Sequence, residues 1–259
     1  PLVVIECKRS DLSSSKNEKP VFQGITQHLR NQNWEDGIPS LYVYSQILLS
    51  VAVNDARYAT TTTPAKFWSL WQEEMPVDEV VSELINRPLS DDNKQKLYHH
   101  ESRSYGYKMQ HYFDTLVEGG RLPTAQDKTL YAMLQPERLL ELSYQYIVFD
   151  NGVKKIARYQ QYFAIKATID RVAHRVGESR NGGVIWHTTG SGKSLTMVML
   201  SKALALHPSI SNPRVILVTD RISLDKQISD TFRACGKTAA RATSGSNLGK
   251  LIKDNSNDI

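Results

Sequence analysis

Two groups of residues have types and spacings suited to chemistry. The first is His187, Thr188, Thr189, Gly190, Ser191, Gly192, Lys193 and Ser194. Glycines spaced in this way let successive backbone N–H groups turn inward around an anion. Lys193 would bring positive charge to terminal phosphates, and the Ser194 hydroxyl is a ligand for Mg²⁺. A helix opening at Lys193 would add its N-terminus to the cradle. The second group is Glu6 and Lys8, reached by the apolar residues 2–5. Strand alternation puts both on one face, where a carboxylate can bind Mg²⁺ and an ammonium can stabilise charge beside a scissile phosphate. A two-residue pattern such as this is common by chance, and a solvated ion pair is its plain alternative.

These side chains need a scaffold. Residues 2–5 are strand-like, residues 9–19 read as a polar loop, and residues 21–31 as a helix. Residues 41–53 are rich in Val, Ile, Leu and Tyr, and their pattern fits a core strand or a helix. Residues 59–64 read as a turn. Phe67, Trp68 and Trp71 stand at helical spacing and predict a stripe facing the core. Residues 85–125 are polar and read as a peripheral insertion, with His99, His100 and His111 as surface histidines and not metal ligands. The triplet Asp150, Asn151, Gly152 predicts a turn, and the domain boundary is drawn there.

Beyond the boundary the pattern alternates. A helix is expected over 158–175, a strand at 183–186, a helix over 193–206, a strand at 214–218 and a helix from about residue 224. That order predicts an α/β parallel sheet with crossover helices.

Bulk properties narrow the class. The 259 residues suffice for two domains, residues 1–150 and 151–259. The net charge of +5 is a mild lean toward a polyanionic partner. Cys7 and Cys235 fall in different expected domains, which argues against a disulfide framework and for a cytoplasmic setting. No run approaches the roughly 18 apolar residues of a membrane span. Pro1 leads straight into an apolar run and residues 244–259 are polar without a closing element, so the chain reads as part of a longer protein.

The phosphate loop has His187 where the usual pattern has glycine. In this form it resembles the loop of superfamily 2 helicases and translocases. Arg158, Gln161 and Ala164 resemble the motif of those motors whose glutamine reads adenine, which implies ATP over GTP. Leu217, Val218, Thr219, Asp220, Arg221, Leu224 and Gln227 resemble a segment of DNA translocases, which implies Thr219 and Arg221 as contacts to a nucleic-acid backbone.

Taken together, Glu6 to Lys8, residues 25–32 with Gln27, residues 37–39, Thr61, Thr63, Pro64, Phe67 and Trp68, residues 155–162 and residues 183–187 resemble the restriction (R) subunit of type I restriction enzymes. The resemblance spans nearly the whole chain. It implies a PD-(D/E)xK-type nuclease domain followed by a partial RecA-like lobe, with Glu6 and Lys8 as the second acid and the lysine and Gln27 as the supporting glutamine. It further implies ATP and Mg²⁺ as cofactors, with Glu6 and Ser194 as the metal-binding positions. Double-stranded DNA and the methylation and specificity subunits are its implied partners. Asn31 stands where the glutamine motif often has tyrosine. The family's first nuclease acid would precede Pro1, and no motor acid box of the family's form is found before Ile259. A different reading is a superfamily 2 helicase or remodelling ATPase whose first domain binds DNA or a partner without cutting; a third is a scaffold that binds ATP to dock a subunit.

Overall fold

The computed structural model describes residues 1–9, 19–98, 103–177 and 179–254. His99 and His100, and most of the expected loop at 9–19, lie outside the described residues.

A three-stranded sheet organises the first part of the chain. Strand β1 (Val3–Cys7) pairs in parallel with β2 (Ile47–Ala52), and β2 pairs antiparallel with β3 (Asp55–Ala59). Helix α1 (Pro20–Asn31) joins β1 to β2, as a parallel connection requires, and starts on a proline that has no N–H to leave unpaired. The open choice over residues 41–53 resolves into a 3-10 turn, Pro39–Leu41, and then strand β2. All six residues of β2 are buried, which explains its near-continuous apolar sequence. Ile47, Leu49 and Val51 face the large core, while Leu48 joins Ile25, Tyr42, Ala59 and Trp68 under α1. Val4 packs on that second cluster and Val3 on the first, so Glu6 shares the α1 face of the sheet.

The aromatic stripe takes a different form from the one expected. Only Ala65–Phe67 form a 3-10 turn, and Ser69 then bridges Tyr58 through two backbone hydrogen bonds of 2.8 and 3.0 Å. Capture of Ser69 by the sheet edge extends the backbone, and in extended chain residues 68 and 71 point to opposite faces. Trp68 accordingly enters the small cluster and Trp71 the large one, while Phe67 is exposed.

Five helices follow: α2 (Asp78–Ile85), α3 (Asp91–Tyr98), α4 (Arg103–Gly119), α5 (Ala125–Leu134) and α6 (Pro136–Gln145). Helix α3 buries no residue, in keeping with its polar sequence, and packs on α4. Helix α5 starts on a capping box in which Thr124 and Asp127 satisfy each other's backbone N–H groups. The Asp-Asn-Gly signal forms the turn between β4 (Ile147–Asp150) and β5 (Val153–Ile156). Asn151 (φ 50°) and Gly152 (φ 78°) both take the left-handed conformation that a tight hairpin of this hand requires.

Next come α7 (Tyr159–Ala173) and a small hairpin of β6 (Arg175–Val176) and β7 (Ser179–Arg180). Helices α8 (Lys193–Leu206), α9 (Ile222–Ala234) and α10 (Gly245–Lys253) complete the order. The helix expected at 193–206 is found with those bounds. The strands expected at 183–186 and 214–218 are not formed, and with them the expected parallel sheet of this region. Both segments run without ladder partners among the described residues, and Val184, Trp186 and Val218 are about nine-tenths exposed. A strand is held by its neighbours' N–H and C=O groups, so an apolar run alone does not make one. Helix α8 packs on α7, α9 and α6, and α9 packs on β4; one continuous core runs from β2 and β3 through Trp71, α5, α6 and β4 to α7, α8 and α9.

Candidate functional site

Three of the expected residues meet at the C-terminal end of β1. The Lys8 ammonium donates to Glu6 Oε1 at 2.6 Å and to Gln27 Oε1, from α1, at 2.6 Å. Glu6 and Lys8 retain only about a fifth of their side-chain exposure, so the ammonium is largely removed from water and held by two acceptors. Their union depends on a close approach of α1 to the sheet. Gly24 lies over Ser50, the register partner of Glu6, and a Cβ there would sit 2.2 Å from Ser50 Oγ and 3.3 Å from Glu6 Cγ. Ser50 Oγ in turn donates to Val21 O at 2.6 Å.

Beneath Gln27, His28 is 1% exposed. Its Nε2 is 2.9 Å from Leu49 O and its Nδ1 3.1 Å from the Tyr42 hydroxyl. Burial holds the imidazole below its ordinary range, against opposing effects from the Leu49 carbonyl and Glu6. Asn31 is hydrogen-bonded to Tyr42, whose hydroxyl is pushed up mainly by burial. The tyrosine hydroxyl near this motif thus comes from a separate element. Gly24, His28, Tyr42 and Ser50 were missed by sequence reasoning, and only Gly24 left a signal, a glycine inside a helical pattern.

The donor set suits a hard divalent ion: Glu6 offers carboxylate oxygen, and Mg²⁺ commonly takes only one or two carboxylates and keeps several waters. Among the described residues no group of three or more His, Cys, Asp and Glu side chains could hold a metal unaided. His111 is exposed and stacks on Tyr107, a surface placement.

The second site is the loop that opens α8. Gly190 (φ 78°) and Gly192 (φ 85°) take left-handed conformations, and the loop closes on a Ser191 N to Thr188 O bond of 3.3 Å. Thr188, Thr189, Gly190 and Lys193 are exposed, Ser194 is half-buried, and Ser191 Oγ is buried without a hydrogen-bond partner. Lys193 Nζ bends back to donate to His187 O (2.7 Å) and Thr188 O (2.9 Å). These neutral carbonyls are weaker partners than phosphate oxygens would be.

Gln161 is 5% exposed and is fully engaged by the protein. Its Oε1 accepts from Arg158 N at 2.9 Å, and its Nε2 lies 3.2 Å from Gly192 O and donates to Thr196 Oγ1 at 3.0 Å. The residue found by its spacing therefore ties the start of α7 to the phosphate loop, while the Arg158 residue remains exposed. Thr219 and Arg221 lie on the segment entering α9, the helix packed on α8. Arg221 is exposed, 3.7 Å from Asp220. Glu6, Lys8 and Gln27 thus form one cluster, and Gln161 and the phosphate loop another.

The SWI2/SNF2 ATPase family model matches residues 160–259. Along 258 residues, 98% of this chain and 22% of the relative, the sequence is 28% identical to a putative type I restriction enzyme MjaIXP endonuclease subunit of Methanocaldococcus jannaschii. It is also 28% identical over 250 residues to the type I restriction enzyme HindI endonuclease subunit of Haemophilus influenzae, covering 94% of this chain and 19% of that one. A third relative, the type I restriction enzyme SsaAORF53P endonuclease subunit of Staphylococcus saprophyticus, is 32% identical over 154 residues. The chain spans about a fifth of the length of the first two.

Proposed function

We propose that this chain, a homologue of type I restriction endonuclease subunits over nearly all its length, contributes a nuclease centre and the nucleotide-binding start of a DNA motor. The nuclease region would be residues 1–150, of PD-(D/E)xK type, and the motor region residues 151–259, the start of a RecA-like lobe. The observation that carries the reading is the Lys8 ammonium held between Glu6 and Gln27.

In this reading Glu6 holds Mg²⁺ at the DNA backbone and Ser194 holds Mg²⁺ at the nucleotide. The ion, when bound, supplies Lewis-acid polarisation of a phosphate. Lys8 stabilises negative charge growing on the scissile phosphate, and Gln27 fixes the direction of its N–H bonds. At the other site Lys193 exchanges the His187 and Thr188 carbonyls for ATP phosphate oxygens, and the N–H groups of the loop and of α8 face the same anion. Thr219 and Arg221 contact the DNA backbone. Double-stranded DNA is the substrate, and methylation and specificity subunits supply recognition.

The test is DNA cleavage by the whole subunit assembled with those partners, with ATP and Mg²⁺, comparing wild type with Glu6→Ala. The expected result is loss of cutting with ATPase retained. Unchanged cutting would overturn the nuclease reading and favour a motor whose first domain does not cut, a reading the SWI2/SNF2 match over residues 160–259 also suits.

A further inference from the structure

Helix α1 carries Gln27 on one side and buries His28 next to it. A buried imidazole must be hydrogen-bonded at both nitrogens or it costs folding free energy, whereas an apolar residue would pack there without that demand. The bonds it makes are directional. Leu49 O can only accept, so Nε2 carries the proton and donates at 2.9 Å; Nδ1 is then bare and accepts from the Tyr42 hydroxyl at 3.1 Å. The Tyr42 oxygen is also bonded to the Asn31 side chain. The ring is held edge-on by Tyr42, with centroids 5.9 Å apart and planes at 84°, and lies 5.3 Å from the Trp68 ring. Residues 28 and 31 of α1 are therefore bound, through one relay, to the backbone of the central strand at the residue before Ser50, which pairs with Glu6.

We propose that His28, through Tyr42 and Leu49, is a positioning residue that sets the angle of α1 and so keeps the Gln27 amide on the Lys8 ammonium. The inference rests on the nuclease reading. His28 touches neither DNA nor metal in this role; its effect passes through Gln27. A helix turned by a fraction of an ångström at residue 28 would carry Gln27 Oε1 out of its 2.6 Å contact and free Lys8 to rotate.

The experiment uses the whole subunit in its assembled complex with DNA, ATP and Mg²⁺, with wild type, Glu6→Ala, His28→Leu, His28→Gln and Tyr42→Phe compared side by side. His28→Leu is expected to lower the cleavage rate constant about tenfold or more, since small misplacements of a catalytic group have effects of this order. ATPase activity and the Mg²⁺ concentration for half-maximal cleavage stay unchanged. His28→Gln, which keeps a donor for Leu49 O, is expected to restore most of the rate, and Tyr42→Phe to show a smaller loss of about threefold. A Leu variant that cuts like wild type while Glu6→Ala is inactive would overturn the positioning role and leave the nuclease reading intact. So would a Gln variant as slow as Leu. Cutting by Glu6→Ala would instead remove the nuclease reading itself. If His28→Leu loses ATPase as well, the fold has failed, and Tyr42→Phe, which deletes one hydroxyl, decides: normal cutting by it overturns the proposal.

Discussion

Lys193 is the residue whose present bonds say most about its role. Two backbone carbonyls hold its ammonium over the loop, and neither neutralises its charge. Lys193→Ala is therefore expected to leave the melting temperature within a degree or two while weakening binding of an ATP analogue by about tenfold or more, read by calorimetry or fluorescence titration. The spacing of Gln161 from the loop was visible in the sequence; that both ends of its amide would be consumed by Arg158 N, Gly192 O and Thr196 was not, because such bonds depend on how α7 is set against α8. Asp127 offers a residue-scale test of stability. Burial pushes its carboxyl up, but Arg121 at 2.5 and 2.9 Å and the hydroxyl and backbone amide of Thr124 outweigh it and bring it to about 2. A folded value below the unfolded one means stability that is present above pH 4 and lost as pH falls toward 2. The contribution is about 2 kcal/mol, and Asp127→Asn should remove it at pH 7 and flatten the acid limb of the unfolding curve.

At the scale of elements, α1 approaches β2 closely at Gly24. A methyl there gains about 1 kcal/mol of helix propensity, yet its Cβ would stand 2.2 Å from Ser50 Oγ on a strand buried throughout. Overpacking at such a site costs about 1–3 kcal/mol, so the clash wins. Gly24→Ala should lower the denaturant midpoint and the cleavage rate, and adding Ser50→Ala, which removes the offending oxygen, should recover much of both. Among the elements, those with local signals were legible: the glycines before α8 and the Asn-Gly turn between β4 and β5. The rest depended on remote partners. The three-residue spacing of Trp68 and Trp71 fits one helical stripe, and only the pairing of Ser69 with Tyr58 sends them to opposite faces. The apolar runs at 183–186 and 214–218 have strand composition, but composition supplies no neighbour to pair with.

For the molecule as a whole, the question is how the two sites are joined. Tyr58 on β3 is buried and donates its hydroxyl to Ala157 O at 2.8 Å, one residue before Arg158 and the Gln161 contact to the phosphate loop. Burial pushes that phenol far up, so it remains a donor at any working pH. A second link lies nearby. Arg138 stacks over Trp71, Tyr162 and Phe163 at 5.0–5.9 Å and pairs with Glu73 at 2.7 Å, drawing together segments from β3 to α7. With one apolar core running through these contacts, the joint is a packed interior and not a linker. Tyr58→Phe leaves that packing intact but strands the Ala157 carbonyl, at a cost of about 1–2 kcal/mol. Because the core is shared, the loss should appear in both halves at once. Trp34 and Trp186 are already exposed in the fold, so the change in tryptophan fluorescence on unfolding comes mainly from buried Trp68 and Trp71; the urea midpoint it follows should fall together with the midpoint followed by loss of ATP-analogue binding, with the slope of the transition unchanged. A fall in only one signal would mean that the two regions unfold independently.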